Sequence, residues 1–416
     1  AARRRRLMQP GPMGPGVAGG VDTMSRGGLR RVLVVLCGTE IVSWGVLYYA
    51  FPVLAPAIVA DTGWSVGTIT AAFSLGLVVA ALVGIPAGRW LDRFGPRRVM
   101  TCGSVIAAPA VVGIACAPTV AWFFAAWAVA GLAMAGVLYP PAFAALTRWW
   151  GPRRVTALTA LTLLAGLSST IFAPLTAALS AHLSWRQSYL VLAVVLAVLT
   201  VPAHLFGLRG PWPAAPDPAA RAGVPGPAPA TISRSAPFLL LVAAVALGTF
   251  TAFAVVVNQV PLLIERGAST TAAAWALGLG GLGQVAGRLG YTPLAARTGV
   301  RTRSVLILAA LAATTALFGL LPGPVGALVA AAVLAGAARG VLTLLQATAV
   351  SDRWGSAHYG RLNGVFLAPS TIATALAPWA GAALSEVMGG YPPVFVLLAV
   401  LSVVAAVLAV GTVPRR

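Results

Sequence analysis

Three ionisable side chains sit inside long apolar runs: Glu40, Arg288 and Arg339. A charge in a hydrocarbon layer costs about 2.5–3.5 kcal/mol on insertion scales, so each must pair, face water or hold something. Glu40 lies about eight residues, or about 12 Å, into the run 32–58 at the usual helical rise. Trp44 and Tyr48 follow at four-residue steps and share its face, a polar-aromatic strip suited to a cavity wall. A carboxyl there can carry a proton. It can equally form a fixed ion pair with an arginine, or a packing hydrogen bond. Arg339, in GAARGVL, is near the middle of its run and out of easy reach of either surface. It can bind an anionic substrate group or pair permanently with Glu40. Arg288 lies about two turns from the end of its run. It can clamp a carboxylate with its planar fork, or snorkel to the interface.

Asn258 and Gln259 precede Pro261. Proline frees a backbone carbonyl, and polar groups beside such a break commonly face a cavity in carriers. Hydrogen bonding between helices is the alternative. The candidate substrate-binding residues are therefore Arg339, Arg288, Asn258, Gln259, Tyr48 and Trp44, with Glu40 as candidate proton carrier. Other chemistry finds no residues. Cys37, Cys102 and Cys116 all fall in apolar segments, without Cys/His ligand spacing. No strand precedes the glycine-rich stretch 278–283, and no Gly-Lys-Ser/Thr phosphate loop or HExxH motif occurs. His182, His204 and His358 fall at predicted helix ends or loops. No enzyme, cofactor or metal site is expected.

The elements that position these residues are membrane helices. The chain is 59% hydrophobic and 9% charged, against about 25% charged in soluble domains. Twelve helices are predicted, at 32–58, 65–90, 97–117, 120–148, 154–181, 186–207, 237–264, 270–294, 302–321, 325–350, 357–384 and 391–412. Breaks fall at Gly/Pro or charged clusters such as Asp61-Thr-Gly63 and Pro322-Gly-Pro324. Residues 1–28 read as a disordered basic N-terminal tail, 208–236 as a Pro/Ala/Gly-rich cytoplasmic linker and 413–416 as a short C-terminal tail. The six-helix halves are 29–207 and 237–412.

A net charge of +20 invites a nucleic-acid partner, but the arginines sit in short loops between apolar runs. Arg30, Arg31, Arg93, Arg97, Arg148 and Arg153 mark one side, and the series continues with Arg297, Arg301, Arg353 and Arg361. The opposite loops carry only Arg186 and Arg266, with Asp61, Glu265 and Glu386. That bias places both termini in the cytoplasm and makes the lipid bilayer the expected partner, not nucleic acid.

The two halves repeat at a spacing of 204 residues. The offset pairs Gly63 with Gly267, Gly95 with Gly299, Pro118 with Pro322 and Trp150-Gly151 with Trp354-Gly355. Such parallel repeats suggest a carrier.

Residues 88–98 read GRWLDRFGPRR. The pattern is Gly88, three residues, Asp92-Arg93, one residue, Gly95, one residue, Arg97-Arg98. It resembles the signature between the second and third helices of the major facilitator superfamily, and the likeness covers about residues 30–412. The resemblance implies an all-α membrane fold of twelve helices in two pseudo-symmetric bundles, working by alternating access. It also implies that Asp92 and its arginines form a gating cluster joining the cytoplasmic ends of the halves. Ala296 stands where the second half would repeat the Asp, so the latch is expected to be lopsided.

WGVLYYAFPVLAPAI (44–58), GQVAGRLG (283–290), Trp150-Gly151 and Trp185-Arg186 resemble the monocarboxylate and oxalate–formate branch. Two of that branch's charged positions differ: Val53 follows Phe51-Pro52 where a Lys is common, and Gln284 replaces an Asp four residues before Arg288. The helix-5 signature of drug/proton antiporters is missing from LLAGLSSTIFAPL (163–175). The expected function is transport of a small organic anion such as a carboxylate, with a proton gradient or the substrate's own gradient as driving force. The alternative is proton-coupled efflux of a drug or secondary metabolite. A sensor on a carrier fold would need an output domain, and none is visible.

Overall fold

The computed structural model describes residues 24–212, 229–355 and 359–414. The predicted tail up to residue 23, most of the linker and His358 lie outside the described residues. Every regular element among the described residues is helical. In chain order the long helices are α1 Arg26–Thr62, α2 Val66–Phe94, α3 Pro96–Ala115, α4 Val120–Trp150, α5 Arg154–Ser180 and α6 Trp185–Gly207. The second half repeats them as α7 Ala236–Glu265, α8 Thr270–Arg297, α9 Val300–Leu320, α10 Val325–Thr348, α11 Tyr359–Met388 and α12 Tyr391–Val410. Eleven of these are long and apolar enough to cross a membrane by composition. The twelfth, α8, has the length, but glycines, Gln284 and Arg288 dilute its hydropathy.

Sequence caps explain the boundaries. Ser65 and Ser269 occupy equivalent N-caps, accepting the amides of Thr68 and Ala272 at 3.1 Å each. Ser184 and Gln187 form a capping box at the start of α6. Ser25 caps α1 through the Gly28 amide, so residues 26–28 form its first turn instead of belonging to the tail. Gly63 ends α1 at φ 69°, a left-handed geometry that glycine adopts without strain.

Three helices are broken. α1 passes through a π-helical segment, Gly45–Tyr49. α4 breaks at Leu138, ahead of Pro140 and Pro141. α5 breaks at Gly166–Leu167.

Equivalent carboxylates staple each half at the end remote from the arginine-rich loops. Asp61, at the end of α1, accepts the Trp185 indole at 2.8 Å and pairs with Arg186 at 3.6 Å. Glu265, its repeat partner at the end of α7, accepts the Tyr391 amide at 2.9 Å. Each acid thus ties the first helix of its half to the first turn of the sixth.

The arginine-rich end departs from two expectations. Asp92 pairs with Arg148 of α4 within the first half, and no ion pair among the described residues joins the halves. Nor is the cluster lopsided in charge. Asp352, at the repeat position of Arg148, pairs with Arg303 in the second half. Asp352 takes the place of Arg148, while its cation, Arg303, lies on α9 at the repeat position of Val99 on α3, not of Asp92 on α2.

The chain leaving α6 then covers the first-half motif. Trp212 donates its indole N–H to the Asp92 carbonyl at 3.1 Å, stacks under Arg148 at 4.7 Å and meets Trp149 edge-on. Trp149 donates to the Pro211 carbonyl, and Arg97 to Leu205. Gly95, at φ 77°, lies against the Trp212 ring, where a Cβ would sit 3.2 Å from Cγ. Arg93 and Arg98 flank Phe94. Gly88 meets no neighbour.

Candidate functional site

The closest packing in the molecule sets the site. Helices α8 and α10 cross with their backbones in contact. A Cβ on Gly336 would lie 1.9 Å from the Gly280 carbonyl oxygen. One on Gly340 would lie 2.1 Å from that of Gln284, and one on Gly287 2.1 Å from that of Ala337. Small residues permit such approach between membrane helices. Arg288 adjoins Gly287 on one helix and Arg339 adjoins Gly340 on the other. The zipped pair therefore carries both arginines as one rigid unit.

Both guanidiniums line a cavity of about 270 Å³ between the halves. Its polar side is mostly second-half: Gln284 and Arg288 from α8, Arg339, Thr343 and Gln346 from α10, and hydroxyls of α11. Its aromatic side is Trp44 and Tyr49 from α1, Tyr139 and Phe143 from α4, and Phe253 from α7.

Arg339 is 7% exposed and donates to Gln284 Oε1 at 3.3 Å. Arg288 is 5% exposed, donates to the Thr162 carbonyl of α5 and interacts with the Tyr139 phenol. It does not snorkel; its head points across the interface between halves. Among the described residues neither arginine has a carboxylate within 4.0 Å, and the Nε of each has no hydrogen-bond partner.

Glu40 departs from its expected place. It is fully buried behind the cavity wall and forms no ion pair with Arg288 or Arg339. Neither carboxyl oxygen meets hydrogen-bond geometry. The indole of Trp44, the phenol of Tyr139 and the thiol of Cys37 bear on it. Tyr139 interacts with both Glu40 and Arg288.

Trp44 lines the cavity as expected, whereas Tyr48 does not. The π-helical segment is the reason. It adds residues to one turn, so Tyr49 reaches the wall and Tyr48 turns inward against Phe73. Tyr48 still senses Arg339 electrostatically. Close contact with α5 accompanies the segment: a Cβ on Gly45 would lie 2.2 Å from the Phe172 ring.

Asn258 realises the packing alternative. Its amide donates to the Ala254 carbonyl at 2.9 Å and to Pro378 of α11 at 3.3 Å. It lines a second, apolar cavity of about 260 Å³ beside Pro52, Pro56 and Pro261, not the central one. Gln259 donates to its own helix at Val256 and borders a water-sized recess of about 10 Å³ next to Arg339.

Tyr49, Tyr139, Phe143 and Phe253 escaped the sequence reading because aromatic residues abound in apolar helices. A signal existed: Tyr49 and Phe253 are 204 residues apart, as are Tyr139 and Thr343, and all four line the cavity.

The seal lies at the end remote from the arginine-rich loops. The Gly67 amide donates to Glu386 Oε1 at 2.7 Å, the Trp379 amide to Ser74 at 3.2 Å, and Thr170 to the Gly278 carbonyl at 2.8 Å. Arg288 also bonds across the halves, to the Thr162 carbonyl. Cavity residues Phe143, Thr343, Gln346 and Leu367 lie on the arginine-rich side of the seal.

Two bundles sealed at one end around a buried polar cavity define a membrane carrier. The model of the Major Facilitator Superfamily matches residues 36–324 and 239–416, and the chain belongs to that family. Among solved structures it is similar to a bacterial homologue of the human lysosomal transporter Spinster in an inward-facing, unoccupied conformation. That match has a TM-score of 0.75 at 16% identity, covering 93% of this chain and 97% of that one. The nucleoside transporter NupG matches at 0.70 and 15%, covering 92% and 98%. Two curated relatives match over part of their lengths. An uncharacterized 38 kDa protein in the 23S RNA operon of Thermoproteus tenax is 30% identical over 44% of this chain and 50% of its own. The uncharacterized MFS-type transporter YcxA of Bacillus subtilis is 26% identical over 34% and 35%. The chain spans about half or less of the length of these curated relatives.

Proposed function

We propose that this transporter moves a small organic anion by alternating access. The observation that carries the reading is the pair of buried guanidiniums on one cavity wall with no carboxylate partner among the described residues. Burying a cation costs several kcal/mol, and neutral acceptors repay only part of that. A bound anion completes the set, since Arg presents a planar fork suited to a carboxylate. The arginine bias of the loops assigns the open end to the cytoplasm and both termini with it, in the cell membrane. In that orientation the molecule is inward-facing, which accords with a seal built from α2, α5, α8 and α11.

Glu40 is the proposed proton carrier. Among the described residues it is the one buried carboxyl, and it is free of an ion pair. Tyr139 gives it a route to feel Arg288 and hence the bound anion. Charge loss at Glu40 and anion binding at Arg288 would then be linked, the requirement for coupled transport.

The test is binding of acetate, lactate and benzoate to the purified protein and to Arg339→Gln. A charged hydrogen bond is worth about 1.5–3 kcal/mol, so affinity should fall about 10- to 150-fold. Binding unchanged in the variant, or selective for uncharged drugs, would overturn the anion reading.

A further inference from the structure

We infer that the substrate is an aromatic monocarboxylate, a planar ring bearing one acidic group. The inference rests on the anion reading and takes it further. Its ground is the division of the cavity into two chemically distinct walls. Charge and hydroxyls come from the second half through Arg288, Arg339, Gln284, Thr343 and Gln346. The first half presents Trp44, Tyr49, Tyr139 and Phe143, joined by Phe253.

The aromatic wall is organised, not merely apolar. Tyr139 and Phe143 stack at 5.0 Å and 21°, and Trp44 tilts against Tyr139 at 5.1 Å. The α4 break at Leu138 and the π-helical segment of α1 are the two irregularities that place these rings. Flat faces of this kind select a flat partner, because ring–ring contacts add stabilisation beyond the area they bury. An aliphatic body of equal size fills the space without that gain.

The unpaired guanidiniums call for the acidic group. Neither Arg288 nor Arg339 has a carboxylate within 4.0 Å among the described residues, and Glu40, unpaired behind the wall, does not supply one. The volume limits the body. At about 270 Å³ the cavity lies at the lower edge of the range for small-ligand sites. Carboxylate toward α8 and α10, ring toward α1 and α4, is the single orientation that satisfies both walls. Such a ligand touches both halves, so its binding bears on how they move.

The experiment measures equilibrium binding of benzoate, cyclohexanecarboxylate and benzamide to the full chain in lipid nanodiscs. Benzoate should bind about tenfold more tightly than cyclohexanecarboxylate, the order expected of a lost ring–ring contact. It should also exceed benzamide, which keeps the ring and lacks the charge, by at least about tenfold. Tyr139→Leu and Phe143→Leu should each erase the preference for benzoate over cyclohexanecarboxylate while keeping binding of the latter. Two variants guard against one failing to fold. Equal affinity for benzoate and cyclohexanecarboxylate would overturn the aromatic assignment and leave the anion reading standing. Benzamide binding as tightly as benzoate would overturn both, as would absence of binding by either carboxylate.

Discussion

Glu386→Gln should loosen the sealed end and favour the opposite-facing state about fivefold. The Gly67 amide is in the first turn of α2, where four helical N–H groups lack internal partners. Ser65 serves Thr68, and Glu386 reaches across from α11 to serve Gly67 at 2.7 Å. Its negative charge also meets the positive end of the α2 dipole, worth about 0.3–1 kcal/mol at an exposed site. Glutamine keeps an acceptor oxygen, so the substitution removes the charge and leaves the hydrogen bond. The difference between charged and neutral hydrogen bonds is also about 1 kcal/mol. We take about 1 kcal/mol in all, since both estimates describe the same charge. The contact exists only while α2 and α11 touch, so this energy enters the equilibrium between states directly, as a factor of about five. The assay is thiol labelling of Thr70→Cys by a membrane-impermeant reagent, with the three native cysteines first replaced. Thr70 is 2% exposed beneath the seal, so its labelling rate reports the open fraction. An unchanged labelling rate in Glu386→Gln would refute the assignment of this contact to the gate.

Further substitutions separate scaffold from site. Gly336→Val drives a Cβ toward the Gly280 carbonyl; overpacking should cost about 1–3 kcal/mol of thermal stability and abolish anion binding together. Gly84→Ala, at the repeat position of Arg288 but with open space around it, should leave both unchanged. Trp212→Ala removes a cation–π contact and a ring pair, together about 1–2.5 kcal/mol. Trypsin cleavage at Arg209 should accelerate about 5- to 70-fold in consequence; an unchanged rate would show that Trp212 does not hold the segment. Wild-type uptake driven by protons should slow as external pH rises, and Glu40→Gln should make it independent of pH. A variant that keeps the wild-type pH profile would remove Glu40 from the coupling step.

The fold was legible because its signals are local. Ser65, Gly63 and Gly95 mark helix ends by rules that act within a turn, and their repeat 204 residues on reports two like halves. The site was only partly legible, since a side chain's direction depends on irregularities that sequence periodicity assumes away. Arg288 and Arg339 were found because charge in an apolar run is conspicuous. Four-residue spacing points to Tyr48 because it presumes an unbroken α-helix, and the π-helical segment shifts the register to Tyr49. Asp352 was overlooked as half of a charge cluster because its partner Arg303 lies 49 residues away on another helix.

The repeat also explains why the cavity is two-faced. Backbone geometry is held in common, so equivalent positions of the two halves both reach the cavity. Tyr139 and Thr343 are such a pair, as are Tyr49 and Phe253. Chemistry is not shared: Gly84 and Ala135 stand where the second half has Arg288 and Arg339, and Ala244 stands where the first has Glu40. Two similar bundles with unlike linings make a site that neither half can form alone. On the proposed reading, a ligand bridging the arginine wall and the aromatic wall would hold the halves together. It would then let them part at the α2–α11 seal, whose hydrogen bonds the ligand would not share. Alternating access would follow from that arrangement, with ligand contacts that are central and seal contacts that belong to one state.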